Sequence, residues 1–152
     1  MDRKRIALIV QRSHKSVVGG SESEALHYAE LLKKDYNIDI LTTTASDPVR
    51  WDNVLAEGDE ESNGFKVKRF KVSQGRAEYW HKMYAKVTDR YFKDQKDKNL
   101  KIRDRLIDWP MGFQEEVIYK QGPYSYNMIN YLKESHHLYH AFIFFTIFIR
   151  QH

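Results

Sequence analysis

Short apolar runs separated by polar segments define the pattern of this 152-residue chain. The first run, Arg5–Val10, does not alternate with polar residues, which is typical of a strand buried on both faces. A polar loop over residues 11–18 follows, and Ser21 and Glu24 then match the S-x-x-E capping box that begins a helix. The apolar stripe of this predicted helix consists of Ala25, Tyr28, Ala29 and Leu32.

A second strand is predicted over residues 38–43, directly after this helix. Strand, helix and strand in this order indicate a right-handed βαβ unit with parallel strands. We therefore predict an α/β fold, a Rossmann-like and mainly parallel sheet flanked by helices.

The rest of the chain continues the pattern with less regular spacing. It predicts a long polar loop over residues 47–64 and a strand over 65–72, followed by two helical segments over 79–92 and 100–119. A turn over 121–123, a helix over 124–134 and a central strand over 141–146 complete the pattern. Lys66, Lys68 and Lys71 lie along the strand after the long loop, so we expect that strand at an edge or with an exposed face.

Composition narrows the class of protein. An apolar content of 41% and a charged content of 30% fit one folded domain over residues 1–152. The net charge is only +4 and the acidic and basic residues are mixed, which argues against a nucleic-acid partner. There is no cysteine, which excludes disulfides, thiolate catalysis and cysteine-based metal sites. The apolar runs are too short for a signal peptide or a membrane span, so we expect a cytoplasmic protein.

The segment Gly19, Gly20, Ser21 and Glu22 lies between the first buried strand and the predicted helix. Paired glycines allow a ligand to approach the backbone, and free N–H groups at a helix start attract a diphosphate. A plain turn is the alternative, because neither the G-x-G-x-x-G nor the G-K-[ST] fingerprint is present. The negative charge of Glu22 also opposes an anion at this place.

Other candidates follow predicted strands or precede helices. His14 follows the first strand, and Asp47 and Trp51 follow the second, at the end of the sheet where open α/β folds bind ligands. Each has an alternative: a solvated loop residue for His14 and a loop anchor for Trp51. No metal site is predicted, since His136 and His140 lack a carboxylate at matching spacing.

Several segments taken together, in their order and spacing, resemble a known family. They are residues 6–10, 19–22, 42–47, 63–70, 121–125 and 139–146. This series resembles the N-terminal half of the family-4 retaining glycosyltransferases of the GT-B fold.

The resemblance implies two Rossmann-like domains facing each other across a cleft, of which this chain contains the first. That domain holds a carbohydrate acceptor, and its segment from Gly19 to Glu22 approaches the diphosphate of a nucleotide-sugar donor. The acceptor side would include His14, Asp47, Trp51, Gln121, Gly122, Pro123 and Thr146. The nucleotide-sugar is a substrate, and no metal or other cofactor is implied.

The donor-binding domain of such enzymes, with its E-x7-E carboxylates, is absent from the sequence. The segment over residues 147–152 departs from the family pattern, so we expect a truncation or frameshift near the last strand. We therefore expect this half to be inactive alone, with the missing domain as a possible separate partner. No catalytic residue is identified from the sequence. The alternatives are a non-catalytic module that binds a carbohydrate or phospho-ligand, and a product with no function of its own.

Overall fold

The structure, a computed structural model, describes residues 3–14, 19–80, 82 and 121–145. In this part of the chain five strands and two α-helices follow one another, and a short 3-10 helix precedes the last strand. Their bounds are β1 Arg5–Val10, α1 Gly20–Leu32, β2 Asn37–Thr43, β3 Gly58–Ser62, β4 Phe65–Phe70, α2 Tyr126–Ser135, the 3-10 helix His136–Leu138 and β5 Ala141–Phe145.

The five strands form one sheet in the order β3-β4-β2-β1-β5. The pairs β4–β2, β2–β1 and β1–β5 are parallel, and only β3 is antiparallel to its neighbour. β1, α1 and β2 therefore form the predicted βαβ unit with parallel strands. The prediction of an α/β fold with a mainly parallel sheet flanked by helices is confirmed to this extent.

Both faces of the sheet are covered, as the non-alternating β1 sequence predicts. Ile6, Leu8 and Val10 point to the face on which α1 packs through Ala25 and Ala29. These two alanines are almost completely buried, so the helix backbone lies close to the sheet. The α1 stripe is narrower than predicted, because Tyr28 remains 41% exposed.

The opposite face is covered by α2. Ala7, Ile9 and Leu41 meet the partly buried side chains of Met128 and Leu132 there. The Oγ atom of Ser125 accepts a hydrogen bond from the Met128 N–H at 3.2 Å and thereby caps the helix. α2 thus begins two residues after the predicted start at residue 124.

The predicted capping box at the start of α1 is wrong. The N-cap residue is Gly19, which makes no side-chain cap, and the Ser23 N–H donates to its carbonyl at 2.9 Å. Ser21 lies inside the first turn, where its hydroxyl donates to Glu22 Oε2 at 3.0 Å. The helix starts earlier because a glycine occupies the cap position and Ser21 bonds to a neighbouring carboxylate instead of to the backbone.

Two predictions about the sheet are also corrected. Strand β3 lies within the predicted long loop, since its sequence GDEES has no apolar residue to mark it. It pairs antiparallel with β4, and two ion pairs join the strands: Lys68 Nζ lies 2.8 Å from Asp59 Oδ1, and Arg69 Nη1 lies 2.5 Å from Glu60 Oε2. β4 therefore lies between β3 and β2 and is not an edge strand, but it has the exposed face that was the predicted alternative, since Lys66 is exposed and Lys68 half-buried.

The predicted central position of the last strand is the second correction. Among the described strands β5 pairs only with β1 and lies at the edge of the sheet. Its Phe144 is 62% exposed.

The predicted helices over residues 79–92 and 100–119 lie outside the described residues, except for residues 79, 80 and 82. None of the described helices is long and apolar enough to cross a membrane.

Candidate functional site

The carboxyl ends of four parallel strands meet at one edge of the sheet, which we call the carboxyl edge. From β1, the chain reaches β2 and then β4 on one side, whereas β5 lies on the other side. The connections therefore diverge between β1 and β5. In open α/β sheets such a switch point opens a crevice in which ligands bind.

A buried ion pair lies at the N-terminus of α1, next to this switch point. Arg12 Nη2 is 2.7 Å from Glu22 Oε1, and the two side chains are only 11% and 5% exposed. The Ser21 hydroxyl donates to the other carboxylate oxygen of Glu22. The carboxylate is thus neutralised and hydrogen-bonded within the protein.

At Gly19 this carboxylate leaves no room for a side chain unless Glu22 moves. A Cβ atom at Gly19 would lie 2.1 Å from Glu22 Oε2, whereas a Cβ at Gly20 would meet nothing within 4 Å. The protein's own carboxylate therefore lies against Gly19, in the segment predicted to approach a donor diphosphate. The close approach to the glycine backbone is made by Glu22 in this structure.

A shallow pocket of about 440 Å³ lies between α1 and β5. It is lined by Gly20, Ser21, Glu24, Tyr28, Ile143, Phe144 and Phe145. Two residues of the predicted donor segment thus reach this pocket, together with the exposed Phe144 and the buried Phe145 of the edge strand.

Trp51 lies at the centre of the loops that follow β2 and β4. It is 5% exposed, and the guanidinium groups of Arg12 and Arg76 lie 5.8 and 5.7 Å from its ring centroid. Its Nε1–H donates to the Gln121 carbonyl at 3.2 Å, and Arg76 Nε donates to the same carbonyl at 3.2 Å. This geometry is that of a loop anchor, because two arginines cover a ring that has little exposed area for a sugar.

Asp47 organises the turn that leads to Trp51. Its carboxylate accepts hydrogen bonds from the N–H groups of Val49, Arg50 and Asp52, at 2.9, 2.6 and 3.3 Å. Burial raises the pKa of Asp47, but the N–H groups of the turn outweigh burial and hold the pKa below its usual value. The carboxylate is therefore largely engaged by its own loop.

The segment of Gln121, Gly122 and Pro123 packs against the loop after β4. Gly122 has a φ of 61°, and a Cβ there would lie 2.9 Å from the carbonyl carbon of Gly75. The Gly122–Pro123 peptide is cis, and the next residue, Tyr124, exchanges backbone hydrogen bonds with Gln74. The turn is thereby fixed beside Trp51.

The fold brings together most of the residues predicted from sequence. Asp47, Trp51 and the turn beginning at Gln121 form one loop cluster, and Arg12 connects it to Glu22. Arg12 also donates to the Ser46 carbonyl at 3.2 Å. His14 is partly buried just beyond the end of β1. Thr146 lies outside the described residues.

Sequence reasoning missed the three arginines of this edge. Arg12 follows β1, Arg69 lies near the end of β4, and Arg76 lies in the next loop. Arg69 is 3% exposed, and its Nη2 donates to the Ser13 carbonyl at 2.9 Å. Their position at or after the ends of predicted strands could have indicated them as site residues, because the loops of a parallel sheet meet there.

No group of three or more histidine or acidic residues that could hold a metal ion occurs in the described part of the chain. Comparison with models of protein families, with curated proteins and with solved structures finds no match to this chain. Function is therefore inferred from the geometry of the carboxyl edge and from the sequence pattern.

Proposed function

We propose that this chain is the acceptor-side half of a sugar-nucleotide-dependent glycosyltransferase. The observation that carries the proposal is the switch point between β1 and β5, with the glycine-led start of α1 beside it. The resemblance of the sequence to the GT-B glycosyltransferases supports the same function. The carboxyl edge is then the surface that faces a donor-binding domain.

The ion pair of Arg12 and Glu22 limits what this half contributes. With the Glu22 carboxylate against Gly19, the donor diphosphate is held chiefly by the partner domain, and this half holds the acceptor. Negative charge develops on the leaving diphosphate during transfer, and its stabilisation provides much of the rate. The chain alone is therefore expected to bind a carbohydrate and to give no transfer.

The test combines binding and turnover. Saturation-transfer NMR with a panel of neutral and anionic mono- and disaccharides measures acceptor binding, and an assay with UDP-, GDP- and ADP-sugars measures transfer. Replacing His14, which lies at the carboxyl edge, with alanine is expected to weaken sugar binding. The matched control is His27→Ala, since His27 is exposed on α1. Transfer by the isolated chain at an ordinary enzymatic rate, or no binding of any sugar, would contradict the proposal.

A stand-alone module that binds a carbohydrate or phospho-ligand is the second candidate. The α1 N-terminus favours it, because the Glu22 carboxylate already occupies the place at the helix start where a donor diphosphate would bind. Tight and saturable binding of one such ligand, unchanged when donor-domain fragments are added, would favour this module over the half-enzyme.

A further inference from the structure

The three arginines of the carboxyl edge differ in their charge balance. Arg12 is paired with Glu22, and Arg69 with Glu60. Arg76 forms no ion pair with any residue that the structure describes. The carboxylate of Asp47 raises the pKa of Arg76 through its charge, without an ion-pair contact.

Asp47 is unsuited to neutralise Arg76 more closely. Its two carboxylate oxygens are engaged by backbone N–H groups of its own turn, beginning with those of Val49 and Arg50. Burial lowers the pKa of the Arg76 guanidinium, and the charge of Asp47 only partly offsets this. Arg76 is therefore a partly desolvated cation whose charge the described residues do not neutralise.

The guanidinium is nevertheless held in a defined orientation. It lies 4.6 Å from the ring centroid of Trp80 and 5.7 Å from that of Trp51. Its Nε donates to the Gln121 carbonyl, whereas Nη1 and Nη2 donate to no described residue. Stacking and one hydrogen bond thus fix the plane of the guanidinium. The edge formed by Nη1 and Nη2 is left for another hydrogen-bond acceptor.

We propose that Arg76 binds an oxyanion, the phosphate or carboxylate group of an anionic acceptor. A guanidinium edge matches two oxygens of such a group with two parallel N–H···O bonds, which a neutral sugar hydroxyl does not offer. Because the side chain is already ordered, binding costs less conformational entropy than at a mobile surface arginine. That the oxyanion belongs to an acceptor rests on the proposed function, whereas oxyanion binding at Arg76 does not.

The experiment follows the side-chain Nε–H resonance of Arg76 in the ¹⁵N-labelled full chain. Inorganic phosphate, glucuronate and glucose are titrated separately at constant ionic strength, so that the phosphate, carboxylate and neutral sugar are distinguished. We expect a saturable shift with phosphate or glucuronate and none with glucose. Arg76→Gln is expected to weaken the affinity about tenfold or more, which corresponds to the loss of about 1.4 kcal/mol.

The matched control is Arg50→Gln, which removes the same charge from the neighbouring turn. Arg50 is 78% exposed at its side chain, and its Nε lies 3.3 Å from Asp52. This variant is expected to bind the anion as the wild type does. Arg76→Lys keeps the charge but loses the paired N–H donors of the guanidinium. Its affinity for the anion should therefore fall between those of the wild type and Arg76→Gln.

Absence of a saturable shift with both anions would overturn the assignment, even if Arg76→Gln fails to fold. Equal anion affinity in Arg76→Gln and Arg50→Gln would overturn it as well. Binding of inorganic phosphate at Arg76 in a chain that binds no sugar, neutral or anionic, supports the role of Arg76 and counts against the proposed acceptor domain. Sugar binding without oxyanion binding supports the acceptor domain and overturns the role of Arg76.

Discussion

The guanidinium of Arg12 and the carboxylate of Glu22 form a buried ion pair 2.7 Å long at the start of α1. The pair connects the loop after β1 to the first turn of the helix. Arg12 also contacts the ring of Trp51, so the pair joins the α1 N-terminus to the loop cluster of the carboxyl edge. Both the stability of this edge and the shape of the glycine segment depend on it.

Removal of Glu22 should strongly destabilise the protein. In Glu22→Ala the buried charge of Arg12 loses its partner, and breaking a buried pair in this way typically costs about 3–5 kcal/mol. Urea unfolding should show this loss as a lower midpoint. Glu24→Ala, at an exposed position on the same helix, is the control and should change the midpoint little. Equal midpoints for the two variants would mean that the ion pair contributes nothing.

The two glycines should respond in opposite directions to alanine. Gly20→Ala places a methyl group in open space in the first turn and should stabilise the protein by about 0.4–1 kcal/mol. Gly19→Ala displaces the Glu22 carboxylate and should cost about 1–3 kcal/mol. Thermal or urea unfolding measures both changes.

A double-mutant cycle identifies the cause of the Gly19 effect. Replacing Glu22 by alanine removes the atom nearest to the new Cβ and leaves Arg12 Nη2 at 3.2 Å, so Gly19→Ala should cost clearly less in that background. A cost that persists in full in the double mutant would assign the glycine requirement to a group other than Glu22.

Asp47 should contribute to stability in a pH-dependent way. Its pKa is lowered in the folded protein, so the contribution is present above the unfolded value of about 3.9 and is lost as the pH falls through the folded value. Asp47→Asn should therefore have its largest deficit near pH 6 and a smaller one near pH 3. The free energy of unfolding between pH 2 and 6, in steps of about half a unit, measures this. Asp35→Asn, at an exposed position after α1, should not reproduce the trend.

Tyr139 should give the opposite dependence at alkaline pH. Its hydroxyl donates to Asp39 Oδ2 at 3.1 Å and lies 2.9 Å from the Tyr131 hydroxyl. Burial raises the pKa of Tyr139, and the hydrogen bond with Tyr131 and the charge of Asp39 raise it further. The folded state therefore keeps the proton that the unfolded chain releases above about pH 10, so stability falls as the pH rises beyond that value.

Unfolding of wild type and Tyr139→Phe between pH 8 and about 11.5 checks this expectation. The variant should be less stable near pH 8, because Asp39 loses a hydrogen bond, and should show a shallower alkaline decline. Tyr126→Phe replaces a tyrosine that is 53% exposed and serves as the control. Parallel alkaline curves for wild type and Tyr139→Phe would contradict the assigned role.

The sequence by itself determined the elements that bury continuous apolar runs. The run Arg5–Val10 has apolar side chains on both faces, so it can only be a covered strand, and the βαβ order with Asn37–Thr43 follows from chain connectivity. It also placed Asp47 and Trp51 correctly after a strand. In each case the information is local: a period, a turn residue or a position in the order of elements.

Only the tertiary structure decided which charges pair. Strand β3 pairs with β4 beside the ion pairs of Asp59 with Lys68 and of Glu60 with Arg69, and no hydrophobic pattern marks such a strand. In the same way, the sequence showed the negative charge of Glu22, but only the fold showed that Arg12 pairs with it. Coulombic pairing depends on distances between residues far apart in sequence, whereas hydrophobic periodicity is fixed by neighbours along the chain.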